Sequence, residues 1–193
     1  MSTERNNGRP GASLFAGWDV PGLLVEKATQ RADHDFLIWE PLQGPGRRWT
    51  YAAFLDDVSR LAGGLAARGV KPGDRVLVQL ENCPELLLTW FACAWLGAVC
   101  APCNAMATGE ELGWFAELIG ASCALTQPRL AVPLREHCPG LAFIAVTADD
   151  AGAPPASFQA EGFLAFDTLR GDALLRRAPD PSAAAAIMFT SGT

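Results

Sequence analysis

The chain has 193 residues, 50% of them hydrophobic and 19% charged, and its 15 Lys and Arg against 21 Asp and Glu give a formal net charge of −6. That apolar fraction excludes a disordered chain, and the acidic balance excludes both the basic face of a nucleic-acid-binding domain and a polybasic membrane anchor. Small anions stay open as ligands, because backbone N–H groups and hydroxyls can hold phosphate without net positive charge.

The first ten residues are polar and mixed in charge, with no apolar run behind a basic start, so no signal peptide is expected. Residues 1–17 read as a mobile lead. Residues 21–31 suit a helix with Leu23, Leu24 and Ala28 on one side. A strand over 35–40, a turn over 43–46 and the return Arg47-Arg48-Trp49 read as a hairpin.

Thr50 is an N-cap for a strongly amphipathic helix, in which Phe54, Val58, Leu61 and Leu65 form one stripe and Gly69 is the stop. Gly63-Gly64 inside it implies a close approach of another segment. Residues 71–74 form a tight turn into a strand over 75–80.

Leu86 to Cys103 carries no charge over 18 residues, the lower edge of a membrane span. Asn82 as N-cap with Glu85 three residues on, Gly97 as a stop and Pro102 beyond it divide that run into a buried helix over 84–96 and a strand over 98–102. Thr108-Gly109-Glu110-Glu111 is a second capping box, opening a helix to Ile119. A strand over 122–126, a helix over 129–137 and a strand over 142–146 follow, then a loop over 148–160 and ordered chain over 164–175. This alternation predicts an α/β fold, a parallel-rich sheet with flanking helices.

The apolar run of residues 183–189 reads as a strand that breaks into Thr190-Ser191-Gly192-Thr193. Hydroxyl donors and a glycine after a strand suit phosphate, although the loop lacks the Gly-x-x-x-x-Gly-Lys pattern of a Walker loop. Taken alone, four such residues are more often an ordinary polar segment.

Other constellations have plainer readings. Cys100-Ala101-Pro102-Cys103 spaces two thiols as a redox pair or half a zinc site would, but residues three apart on a strand face opposite ways. All six cysteines are expected to be reduced, and most of them buried. His34 is expected in solvent, Asp56-Asp57 on a solvated helix face, and Trp90, Trp95 and Trp114 in the core. Neither a metal-ligating cluster nor a Ser/His/Asp arrangement stands out.

The order of segments from about Pro21 to Thr193 resembles the N-terminal part of the adenylate-forming, AMP-binding enzymes, in the acyl-CoA synthetase branch. The resemblance is carried by Trp49-Thr50-Tyr51, by 69–76, by Glu81-Asn82-Cys83-Pro84-Glu85, and by Leu96-Gly97-Ala98-Val99 with Pro102 and Asn104. Thr108, Glu110-Glu111-Leu112 and the final Phe189-Thr190-Ser191-Gly192-Thr193 complete it. Glu81-Asn82-Cys83-Pro84-Glu85, Trp90-Phe91 and the Gly97 segment are similar to those of crotonobetaine/carnitine-CoA ligases and of short- or medium-chain acyl-CoA synthetases.

The resemblance implies a ligase that uses ATP, Mg2+ and coenzyme A on a small carboxylic acid; the cytoplasm is the default location. It implies that Thr190, Ser191, Gly192 and Thr193 begin the ATP phosphate loop, and that residues 18–193 are a partial AMP-binding domain cut inside that loop. It assigns no catalytic residue. The 193 residues alone are therefore expected to be inactive. A self-standing, non-catalytic α/β module that binds a protein partner is the alternative, and a thiol redox protein is a third reading.

Overall fold

The computed structural model describes residues 19–41, 43–155, 158–178, 180 and 182–190. The expected mobile lead lies outside them. Helix α1 spans Val20–Gln30, and its N-cap Asp19 accepts from the Gly22 N–H at 2.6 Å. Leu24 and Ala28 are buried, but Leu23 is 45% exposed, a correction to the expected apolar side. Strands β1 (Asp35–Trp39) and β2 (Arg47–Thr50) form the expected antiparallel hairpin.

Thr50 caps α2 (Tyr51–Ala67) through its side chain, accepting from the Ala53 N–H at 3.2 Å. The stripe Phe54, Val58, Leu61 and Leu65 is buried as its spacing predicts. Gly63 and Gly64 meet another backbone segment. A β-carbon on Gly63 would lie 1.9 Å from the Asp172 carbonyl oxygen, and one on Gly64 would lie 1.3 Å from that of Leu169. Only hydrogen side chains allow this approach.

Strand β3 (Arg75–Gln79) leads into α3 (Pro84–Leu96), β4 (Val99–Pro102), α4 (Gly109–Ile119), β5 (Ala121–Thr126) and α5 (Pro128–His137). Strands β6 (Ile144–Val146) and β7 (Leu164–Ala165) and a 3-10 turn over Phe166–Leu169 follow. The Thr108–Glu111 capping box forms in full, and Gly97 and Gly120 end their helices with left-handed backbones. The first expected box does not form. Cys83, not Asn82, is the N-cap of α3, without a side-chain bond. Glu85 is drawn instead to Arg47 of the hairpin, at 2.9 Å.

All five strands of the main sheet are parallel, in the order β4-β3-β5-β6-β7. Side-chain alternation divides the core in two. Val76, Val78, Cys100, Cys123 and Leu125 face α1, α2 and α3. Leu77, Ala101, Ala124, Ile144 and Val146 face α4 and α5. Among the described residues, no helix is long and apolar enough to cross a membrane. The expected strand over 183–189 is reduced to one parallel bridge beside β4, with Cys100 N–H donating to Ala185 O at 3.2 Å and Ile187 N–H to Cys100 O at 2.9 Å.

Of the tryptophans expected in the core, Trp95 is buried and donates to Leu174 O at 2.9 Å. Trp90 and Trp114 are 44% and 57% exposed, which corrects that expectation. Helix α3 is apolar around its whole circumference, so periodicity could not say which side meets the sheet.

Candidate functional site at the carboxyl end of the sheet

Strands β4 and β5 lie on opposite sides of β3, so the crossover from β3 to β4 runs one way and the next, from β4 back past β3 to β5, runs the other. In a doubly wound sheet, the carboxyl ends at such a reversal are where ligands bind. The chain beyond β3 and β5 is braced there. Gln127, fully buried, accepts from the Glu81 N–H at 2.9 Å and donates to the Glu81 carboxylate at 2.8 Å. Arg129 completes an ion pair with the same carboxylate. These bonds hold the Glu81 carboxyl below the ordinary glutamate range, Gln127 contributing most and Arg129 next.

An open cleft of about 620 Å³ lies over this brace, with Trp39, Glu40, Glu81, Asn82 and Asp150 in its wall. Three carboxylates make it a poor place for a triphosphate. Gln79, at the end of β3, donates its amide toward the carbonyls of Ala105 and Ala107. Its buried amide oxygen has no partner among the described residues. The sequence carried no signal for Gln79, Gln127 or Arg129, because an isolated amide or guanidinium has no periodicity or spacing to mark it.

The second element is the segment beside β4. Its bridge is parallel, so the chain leaves toward the same carboxyl end as the other strands. Phe189 anchors it on α4, its ring 4.2 Å from that of Phe115 at an angle of 35°. Thr190 follows and is exposed. Ser191, Gly192 and Thr193 lie outside the described residues, so of the four expected loop positions only Thr190 has a described place. An exposed hydroxyl next to a glycine-containing stretch is a donor set that suits phosphate oxygens. Among the described residues, no group of three or more His, Cys, Asp or Glu is arranged to hold a metal.

The other sequence candidates separate cleanly. Cys100 packs in the α1–α3 core with Cys93 and Cys123, whereas Cys103 packs on the α4–α5 side with Cys138. All six thiols are free. Burial pushes the Cys103 thiol up to about 12, the reverse of a redox nucleophile. His34 and His137 are both exposed. Asp56 pairs with Arg60 on the surface as expected. Asp57 does not fit a solvated face: it accepts from the Trp49 indole at 2.9 Å and pairs with Arg170 at 3.0 Å, tying the hairpin and the 3-10 turn to α2.

A five-stranded parallel sheet with helices on both faces, a reversal at β3, one strand in from the edge, and a hydroxyl-rich segment leaving beside β4 defines a nucleotide-type α/β domain. Comparison narrows the class. The family model described as AMP-binding enzyme matches residues 24–193, and the chain belongs to that family.

The crotonobetaine/carnitine-CoA ligase of Salmonella paratyphi A is 32% identical in an alignment of 188 residues that covers 93% of this chain and 35% of that protein. The chain thus spans about a third of the length of that curated relative. The apo structure of Mycobacterium smegmatis MbtA superposes with a TM-score of 0.75 at 29% identity, over 92% of this chain and 32% of that one. Acetoacetyl-CoA synthetase from Streptomyces lividans shares the fold at 21% identity, with a TM-score of 0.77 over 89% of this chain and 28% of that one.

Proposed function

We propose that this chain is the N-terminal part of an ATP-dependent acid–CoA ligase, and that Thr190, Ser191, Gly192 and Thr193 open its phosphate loop. The observation that supports this reading best is the parallel segment beside β4, which heads toward the carboxyl end of the sheet just before those four residues. In the proposed reaction a substrate carboxylate oxygen attacks the α-phosphorus of ATP. Pyrophosphate leaves and an acyl-adenylate remains. The thiol of coenzyme A then attacks the acyl carbon, AMP leaves and a thioester forms.

This chain's share of the work is positioning. Hydroxyls and backbone N–H groups would hold the phosphate oxygens, and the rigid sheet behind them fixes the geometry. Mg2+ would neutralise phosphate charge when bound. The substrate is read as a small carboxylic acid, in line with the crotonobetaine and carnitine in the relative's name. The six free thiols suit the reducing cytoplasm.

The test is carboxylate-dependent exchange of pyrophosphate into ATP, run over a panel of acids. It compares the complete reading frame that contains this sequence with the 193 residues alone. The complete protein is expected to exchange and the 193 residues are not. Changing Thr190 and Ser191 together to Ala is expected to lower exchange about 100-fold, as loss of preorganised donors does. Exchange by the 193 residues would overturn their inactivity, and a double variant at full rate would overturn the loop assignment. Silence from the complete protein with every acid would turn the reading to a non-catalytic module.

A further inference from the structure

Away from the carboxyl end, on the face of the sheet covered by α1, α2 and α3, lies a groove of about 350 Å³. Its floor is aromatic. The Phe36 ring stands 5.0 Å from Tyr51 and 5.9 Å from Phe91, measured between centroids. One wall is a single stripe of α1 that changes character along its length. Val20, Leu23 and Leu24 are apolar, and Lys27 and Arg31 follow one and two turns later.

Val20 and Leu23 are 50% and 45% exposed, so the apolar part of this wall is open to solvent. Lys27 shares its charge with Glu26 at 3.0 Å and reaches Gln30 at 3.4 Å. Arg31 has no ion-pair partner among the described residues. The Tyr51 ring lines the same groove, and no described residue bonds its hydroxyl.

An apolar trough ending in cations is complementary to one kind of molecule, a single alkyl chain carrying an anionic head. We propose that this groove binds a free, medium-chain carboxylate, with the tail along Val20, Leu23 and Phe91 and the head at Arg31 and Lys27. The stripe from Val20 to Arg31 rises about 16 Å along the helix, the length of an alkyl chain of about ten to twelve carbons. Carbonyls at the α1 C-terminus act as roughly half a negative charge and oppose the head. The Arg31 charge, with what Lys27 keeps beside Glu26, outweighs them, and removing Arg31 leaves that opposition weakly countered.

This site is separate from the phosphate loop. Phe189, which precedes Thr190, packs on the α4–α5 side of the sheet, the other side from the groove. Failure of the ligase reading therefore leaves this proposal standing, and the reverse also holds.

The experiment titrates the 193-residue chain with dodecanoate labelled with 13C at the carboxyl and follows the carboxyl resonance. If the chain self-associates, the titration uses the Trp114→Gln, Leu118→Gln variant, whose changes lie on the other side of the sheet. One equivalent should bind saturably. Arg31→Gln and Leu23→Gln, both at partly exposed positions, should each weaken binding about tenfold, the size of one lost charged hydrogen bond or one lost apolar contact. Dodecanol and dodecyltrimethylammonium should not displace the label. Binding without saturation, unchanged affinity in both variants, or equal displacement by the alcohol would overturn the proposal. So would retention on phosphatidylglycerol vesicles without monomer binding, which would make the face a membrane-contact surface.

Discussion

The two faces of the five-stranded sheet are covered to different depths. On one, α1, α2 and α3 stack over β3 and β5, with Phe54, Val58, Ala92 and Cys93 fully buried and the Gly63-Gly64 step pressed against residues 169–172. On the other, α4 and α5 are short and leave Trp114, Leu118 and Val132 exposed. The candidate phosphate segment rests on the second, thinner face, through Phe189 on Phe115. Packing depth and candidate function are therefore separated: the more deeply buried side chains lie on the first face, and the candidate phosphate segment rests on the second. Apolar surface left over helices of this length is the kind that another protein surface covers.

The strongest way to break that comparison is to empty each face in turn. Phe54→Ala removes a ring in contact with Phe36 and Phe91, at centroid distances of 4.5 and 5.2 Å, and should cost about 3–5 kcal/mol. Leu134→Ala, fully buried on the inner side of α5, should cost about 2–3 kcal/mol because the thinner layer can collapse more easily. Urea unfolding of both variants measures the difference. Equal losses would mean that the two faces share the stability evenly.

The glycine step sharpens the same point. Gly64→Ala sets a β-carbon against the Leu169 carbonyl and should cost about 2–3 kcal/mol as the 3-10 turn is pushed away. Gly140→Ala has no neighbour within 4 Å and should stay within about 0.5 kcal/mol of the parent. Similar midpoints for the two would show that the turn yields without loss.

The thin face predicts association rather than instability. Trp114→Gln with Leu118→Gln should change stability by less than about 1 kcal/mol while lowering self-association in sedimentation velocity. A parent chain that is already monomeric at high concentration would show that this apolar surface does not drive assembly.

Elements with local punctuation were readable from sequence alone. Thr50, Thr108 and Gly97 fix helix ends through groups within a few residues, and those helices begin or end where those groups stand. Features set by distant partners were not. Glu85 leaves its helix end for Arg47, 38 residues away, and Asp57 reaches Arg170, 113 residues away. The strand over 183–189 looked continuous because its residues are apolar, but only one bridge to β4 forms among the described residues. At the candidate site, the hydroxyl-glycine run was visible as composition, whereas Gln79 and Gln127 became visible only once the ends of β3 and β5 came together.

The smallest effect tests the carboxyl-end brace that the two faces share. The Glu81 carboxyl titrates below the ordinary value of 4.5, so the folded state holds the charged form more tightly than the unfolded chain does. The stability this adds is present above about pH 4.5 and is lost as the pH falls through the lowered value. Glu81→Gln keeps an acceptor for the Gln127 amide and removes only the charge facing Arg129. The side chains of Glu81 and Arg129 are each 40% exposed, so solvent screening limits the loss to roughly 0.5 kcal/mol at pH 7. At pH 3 the gap between parent and variant should narrow, because the parent is then partly neutral as well. A gap that stayed constant from pH 7 to 3 would assign the brace to the Gln127 amide and leave the ion pair without a part in stability.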